Sequence, residues 1–176
     1  MPRHVIRHGR VVGDTWQFLV PREGVDPATV KLPPGPLAVT LPVWMARRDE
    51  LLARATPLGV RLDPADDAGE IAADLPRLGL VAVHFPKFAD GRGYTTAWLL
   101  RRRYGFAGEL RAVGDVLRDQ LFYLSRSGFD AFQLRDGADP HAALPSLRDF
   151  SVAYQAAADG RPPRFRSPLP GDPRHG

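Results

Sequence analysis

Hydrophobic residues fall along this chain in short runs separated by turn-forming residues, and the runs alternate between strand-like and helix-like spacing. Val5-Ile6 and Val11-Val12 flank the turn His8-Gly9-Arg10, which predicts a β-hairpin within residues 3–20, with Trp16 to Val20 as a further extended run. Pro21, Pro27, Pro33, Pro34 and Pro36 mark a loop. Leu37 to Trp44 is a β-rich apolar run, Met45 to Ala55 has helical character, and Val60 to Leu62 is a short strand. Ala68 to Leu75 predicts a short helix capped by Asp66 or Asp67. Leu78 to Phe85 is the strongest strand, stopped by Pro86.

The alternation continues to the end of the apolar pattern. A loop over Lys87 to Gly93 precedes a helix from Tyr94 to Tyr104, ended by Gly105 and Gly108. Glu109 to Val113 reads as a strand, Gly114-Asp115 opens a helix running to Ser127, and Gly128 closes it. Phe129 to Leu134 is a last strand, and Asp139 to Phe150 holds a last helix.

Strands alternating with helices imply a mostly parallel sheet with right-handed crossovers. Near-continuous apolar strands imply cover on both faces. Four or five core strands are too few for a complete eight-stranded barrel. The expected fold is therefore α/β: a small, mostly parallel, open and doubly wound sheet flanked by helices, with an N-terminal β-hairpin. A partial TIM-like barrel is the alternative. Residues 1–36 form the hairpin and proline-rich loop of the same domain, 37–150 the α/β core, and 151–176 a mostly disordered tail rich in proline and arginine.

Composition narrows the function. With 44% hydrophobic and 25% charged residues, a core of ordinary size can be buried. There is no cysteine, so disulfides, thiolate nucleophiles and cysteine-ligated metal or iron–sulfur sites are excluded, and the cofactor is otherwise unknown. The net charge is +4, but Arg161, Arg164, Arg166 and Arg174 against Asp159 and Asp172 put half of that excess in the tail. The body is weakly basic and carries no nucleic-acid-binding signature. No apolar stretch suits a signal peptide or a membrane span, so the expected location is the cytoplasm and no membrane is expected as a partner.

In parallel α/β sheets, ligands sit where strands end and helices begin. Two such junctions stand out. In the first, Lys87, Asp90, Gly91, Arg92, Gly93 and Tyr94 follow the strongest strand. Its glycines free backbone N–H groups, a helix start adds a positive end, and Lys87 and Arg92 add charge. Such a set suits a phosphate, sulfate or sulfite, although the spacing fits neither a Walker loop nor the dinucleotide fingerprint. The plainer reading is a strand-to-helix loop with two turn glycines and a surface arginine.

The second junction holds Arg111, Asp115, Arg118 and Asp119. Asp115 suits a helix N-cap, and Arg118 and Asp119 are placed to meet Arg92 or a ligand, or to form an internal salt-bridge network. Arg101-Arg102-Arg103 suits a helix C-terminus. Of the scattered histidines His4, His8, His84, His141 and His175, none shows metal-ligand spacing, and no metal site is expected. His84, at the end of an apolar strand, is the one in a plausible site position, and a satisfied half-buried histidine is its plainer reading. No catalytic triad or carboxylate pair is legible.

Three blocks carry a resemblance: Phe85 to Tyr94, Gly108 to Gln120, and Gly128 to Phe132. They resemble the bacterial family called domain of unknown function 934, and with the hairpin the resemblance covers roughly residues 1–150. Members are typically encoded beside assimilatory sulfite reductase and the reductase for activated sulfate, and are often labelled putative oxidoreductases. The resemblance implies an accessory protein of sulfite reduction, acting with the sulfite reductase haemoprotein or another sulfate-assimilation enzyme in assembly or electron delivery. The alternatives are an enzyme or sensor binding a small oxyanion or phosphoryl ligand, and an oxidoreductase using flavin or nicotinamide, for which no glycine fingerprint is present. Whether the protein is catalytic is left open. Many members are expected to carry a cysteine where this chain has Ser127, so thiol chemistry is not essential here.

Overall fold

The computed structural model describes residues 3–148. The expected tail, the end of the last expected helix and His175 lie outside the described residues. Among the described residues, eight strands form one sheet: β1 His4–Arg7, β2 Arg10–Gly13, β3 Gln17–Leu19, β4 Leu37–Thr40, β5 Leu58–Leu62, β6 Leu80–Phe85, β7 Glu109–Gly114 and β8 Ala131–Phe132. Four α-helices accompany them: α1 Leu41–Leu52, α2 Arg92–Trp98, α3 Leu121–Arg126 and α4 Pro140–Ala143. Three 3₁₀ segments lie at Ala68–Arg77, Arg118–Gln120 and Leu144–Arg148, and α2 continues as a π-helical segment over Leu99–Arg103.

The sheet is mostly parallel and carries the expected N-terminal hairpin. β3 to β8 run parallel and neighbour one another in chain order, while β1 pairs antiparallel with both β2 and β8. A monotonic order has no reversal point, so the crossovers wind one way only. That belongs to a partial barrel rather than to a doubly wound sheet. The hairpin turns on His8 and Gly9, with φ of 50° and 74°. Both central residues are left-handed, as a two-residue turn matched to strand twist requires.

Chain connectivity forces the sheet to curl. β2 and β3 are its two edges, yet only residues 14–16 join them. Seven strand spacings of about 4.8 Å would hold flat edges roughly 34 Å apart. The four residue steps from Gly13 to Gln17 reach about 14 Å at most. The edges must therefore approach one another, and the sheet becomes a curled half-barrel.

Curling gives the two faces different jobs. Val39, Val60, Val81 and Leu110 share one register row, and Leu62, Val83, Ala112, Phe132 and Ile6 the next. These face the helices and form the main core with Trp44, Ile71, Ala97, Leu100, Leu121 and Leu124. The inner face alternates with them. It holds Ala38, Gly59 and Leu80 in one row, and Thr40, Arg61, Ala82, Arg111, Ala131 and Arg7 in the next. Small residues suit the concave side, where curvature crowds side chains. A Cβ on Gly59 would lie 2.9 Å from the Leu80 carbonyl oxygen and 3.2 Å from the Ala38 Cβ.

Two polar contacts fix the helical layer. Trp44 Nε1 donates to Asp74 at 2.9 Å, and Arg48 forks onto the same buried carboxylate. Arg101 donates to the carbonyls of Phe106, Gly108 and Gly128 at 2.8–2.9 Å and stacks over Phe106. The first arginine of the basic run is thus tied to three loop carbonyls.

Candidate functional site

The first junction follows β6. Asp90 Oδ1 accepts from the Arg92 backbone N–H at 3.1 Å, and its carboxylate takes the Arg92 guanidinium at 2.8 and 3.0 Å. Those bonds hold the Asp90 carboxyl below its ordinary range. The helix start and the loop arginine are therefore served by the chain's own anion. Gly93 has a packing role: a Cβ there would lie 2.4 Å from the Phe85 ring. Gly91 faces open space. Tyr94 packs edge-on against Phe85, and burial raises its hydroxyl pKa. Lys87 is exposed.

The second junction departs from the expected capped helix. Residues 115–117 form a loop, helical backbone begins at Arg118, and Asp115 is not an N-cap. Its carboxylate instead pairs with Arg135 and accepts the Phe88 N–H at 2.9 Å, bonds that depress its pKa. The local reason is Gly114, whose φ of 97° turns the chain and aims the Asp115 N–H at the Phe85 carbonyl, 2.7 Å away. Gln120 folds back on the Leu117 N–H and also donates to the Phe88 carbonyl. The junctions thus meet through Phe88, Asp115 and Gln120. Arg118 lies 3.7 Å from Asp119, both exposed, and they line an open cleft of 320 Å³ with Leu117, Leu134, Arg135 and Ala142. Arg92 remains with Asp90.

Arg111 stands apart from both loops. It is fully buried on the inner face, bonded to Asp14 at 3.0 Å and Glu109 at 2.7 Å, with the Phe18 ring beneath its guanidinium. It binds opposite walls of the curled sheet together.

A further cluster sits at the C-terminal ends of β5 and β6, on the inner face. His84 Nδ1 lies 2.8 Å from Asp63 Oδ1, and Arg61 Nη2 lies 2.8 Å from that oxygen and 2.9 Å from Nδ1. The side chains of Arg61, His84 and Asp63 are 15%, 25% and 40% exposed, so the cluster opens to solvent through its carboxylate and ring. The His84 hydrogen bond, aided by Arg61, holds the Asp63 carboxyl below its ordinary range. Asp66 accepts the Asp63 N–H at 2.7 Å, and burial raises the Asp66 carboxyl pKa. The far edge of the imidazole lies against Gly114, where a Cβ would come within 2.7 Å of Cδ2 and 3.0 Å of Nε2.

His84 is legible in the sequence as a strand-end residue, whereas Arg61 and Asp63 belong to no local motif. The available signal was parity, because Arg61, Asp63 and His84 occupy alternate, inward positions at two strand ends. Among the described residues, no group of three or more His, Cys, Asp or Glu side chains is placed to hold a metal ion, and no helix is long and apolar enough to cross a membrane.

The fold and its inner cluster define a curled, mostly parallel α/β protein with ionisable groups at the mouth where its strands end. The chain belongs to the family described as bacterial protein of unknown function (DUF934), whose model matches residues 59–165. That span includes Arg61, Asp63, His84 and both junctions. No curated protein and no solved structure matches the chain.

Proposed function

We propose that this protein serves assimilatory sulfite reduction as a cytoplasmic accessory that holds a small oxyanion at the mouth of the curled sheet. The family resemblance supports the pathway. The observation that carries the oxyanion is the sharing of one Asp63 oxygen between Arg61 and His84. Arg61 and His84 gather nitrogen groups at the end of parallel strands, where ligands bind, beside the carboxyl groups of Asp63 and Asp66. Arg92 has Asp90 to itself and Arg111 is fully buried against Asp14 and Glu109, whereas Arg61 shares its one Asp63 oxygen with His84.

The test is a thermal-shift series with sulfite, sulfate, phosphate and adenylyl sulfate, because a ligand that binds only the folded state raises its stability by mass action. A rise with one of these anions that Arg61→Gln abolishes and Arg92→Ala retains supports the reading. A rise lost only in Arg92→Ala moves the ligand to the first junction. No rise with any anion rejects the binding role.

A second reading rests on exposed aromatics. Phe88, Trp98 and Tyr123 each leave about half of their surface open and lie on the loop and helices that follow β6 and β7. Such residues suit a partner surface. That partner is the sulfite reductase haemoprotein, for assembly or electron delivery. Co-purification from sulfate-grown cells, lost when Phe88 and Trp98 become serine, is the expected result. Equal recovery with the double variant rejects it.

A further inference from the structure

We infer that His84 is the proton acceptor for the bound oxyanion, with Asp63 as the residue that positions it. The inference rests on the oxyanion reading above and adds the chemistry of the site.

Two contacts bear on the tautomer, Asp63 Oδ1 at 2.8 Å and Arg61 Nη2 at 2.9 Å from Nδ1. An unprotonated Nδ1 would turn its lone pair toward the Asp63 carboxylate at 2.8 Å, against like charge density. A protonated Nδ1 donates to Asp63, and Arg61, which has only donors, can then give its hydrogen bond to the same oxygen at 2.8 Å rather than to Nδ1. The neutral ring then carries its free lone pair on Nε2, on the edge beside Gly114, where no side chain stands in the way. An Asp–His pair of this form orients the ring and stabilises the imidazolium once it forms.

On and after β5 the ring's charged neighbours are one cation and two carboxyl groups. Arg61 faces Asp63, and Asp66 accepts the Asp63 N–H. On β7, Arg111 is matched by Asp14 and Glu109, while Val113 and Gly114 carry no charge. Asp115 is turned toward Arg135 and the Phe88 N–H. β4 contributes the neutral Thr40 to the Arg61 row. A proton gained on Nε2 adds positive charge to a mouth in which the other cations already face carboxylates.

The ligand class that fits is a small oxyanion with a proton to exchange near neutrality, such as hydrogensulfite or dihydrogen phosphate. The O–H bond of the ligand breaks and an N–H bond forms at Nε2. The electron pair stays on the oxygen, and no atom is oxidised or reduced. The product is an ion pair between the more highly charged anion and the imidazolium, with Arg61 alongside.

The test is titration calorimetry of sulfate and hydrogensulfite in two buffers of different ionisation enthalpy. Sulfate has no proton to give near neutrality, so its binding draws up to one proton per site from the buffer. Hydrogensulfite brings its own and draws less. His84→Gln removes the difference, and Asp63→Asn diminishes it. Equal proton uptake for both anions in the unaltered protein overturns the inference while leaving the oxyanion reading intact. Absence of heat with either anion rejects that reading, and the inference with it. Ring ¹⁵N shifts of the unaltered protein provide a check without any variant: a proton on Nδ1 is expected in the neutral ring, and one on Nε2 overturns the inference.

Discussion

Arg111 on β7 donates to Asp14, in the short connection between the two edge strands, at 3.0 Å, with side chains 0% and 1% exposed. The residues are 97 positions apart in sequence. Their contact ties the curled sheet across its interior, and Glu109 supplies a second carboxylate on the same guanidinium. Burial leaves neither charge a solvent alternative, so the pair depends on both members.

Arg111→Met is therefore expected to lower stability by about 3–5 kcal/mol, because the buried Asp14 carboxylate loses its counter-charge and Glu109 keeps only Arg7. Urea unfolding measures it. Adding Asp14→Asn to that variant should cost less than Asp14→Asn alone, since one uncompensated charge is removed. Additive losses would show that the two groups are not coupled.

The two glycines of the first loop should separate cleanly. Gly93→Ala drives a Cβ into the Phe85 ring and is expected to cost about 1–3 kcal/mol. Gly91 has ordinary negative φ and open space, so Gly91→Ala should stay within about 0.5 kcal/mol of the parent. Phe85→Leu in the Gly93→Ala background should recover part of the loss. Equal melting temperatures for the two single variants would contradict the packing role.

Asp74 anchors α1 through Trp44 and Arg48. Asp74→Ala strands the buried indole N–H, with an expected loss of about 1–3 kcal/mol. Asp74→Asn keeps an acceptor for Trp44 and should lose less. Chemical denaturation of both variants compares them directly.

Acid should weaken the fold through the same carboxylates. Hydrogen bonds from Arg48, His84 and Arg135 depress Asp74, Asp63 and Asp115 respectively. A depressed folded pKa favours the folded state above the unfolded value of about 3.9, and that contribution is lost as pH falls through the folded pKa. Asp66, raised by burial, has the opposite sign and destabilises as pH rises through its range. The melting temperature should therefore fall below about pH 4, and less steeply in Asp74→Asn. An unchanged slope in that variant would remove Asp74 from the acid response.

Local pattern carried much of the fold. The hairpin, with Val5 opposite Val12 and Ile6 opposite Val11, follows from paired β-branched residues around His8-Gly9. Asp67 caps the Ala68 segment through the Gly69 N–H, as its side chain allows. The expected long helix after Gly114 is the clearest departure. Its apolar spacing suits a helix, but Gly114 turns with positive φ and Asp115 is recruited by Phe88 and Arg135. Neither partner is visible in a local window.

The sequence by itself determined the α/β class, the hairpin, the strong strand ending at His84 and the family, because side-chain periodicity and turn chemistry act over a few residues. Tertiary structure alone decided that the sheet curls, that Arg111 lies inside it, and that Arg61 and Asp63 converge on His84. Those outcomes depend on which strands become neighbours. A short connection between β2 and β3 is a constraint only once those strands are known to be the two edges.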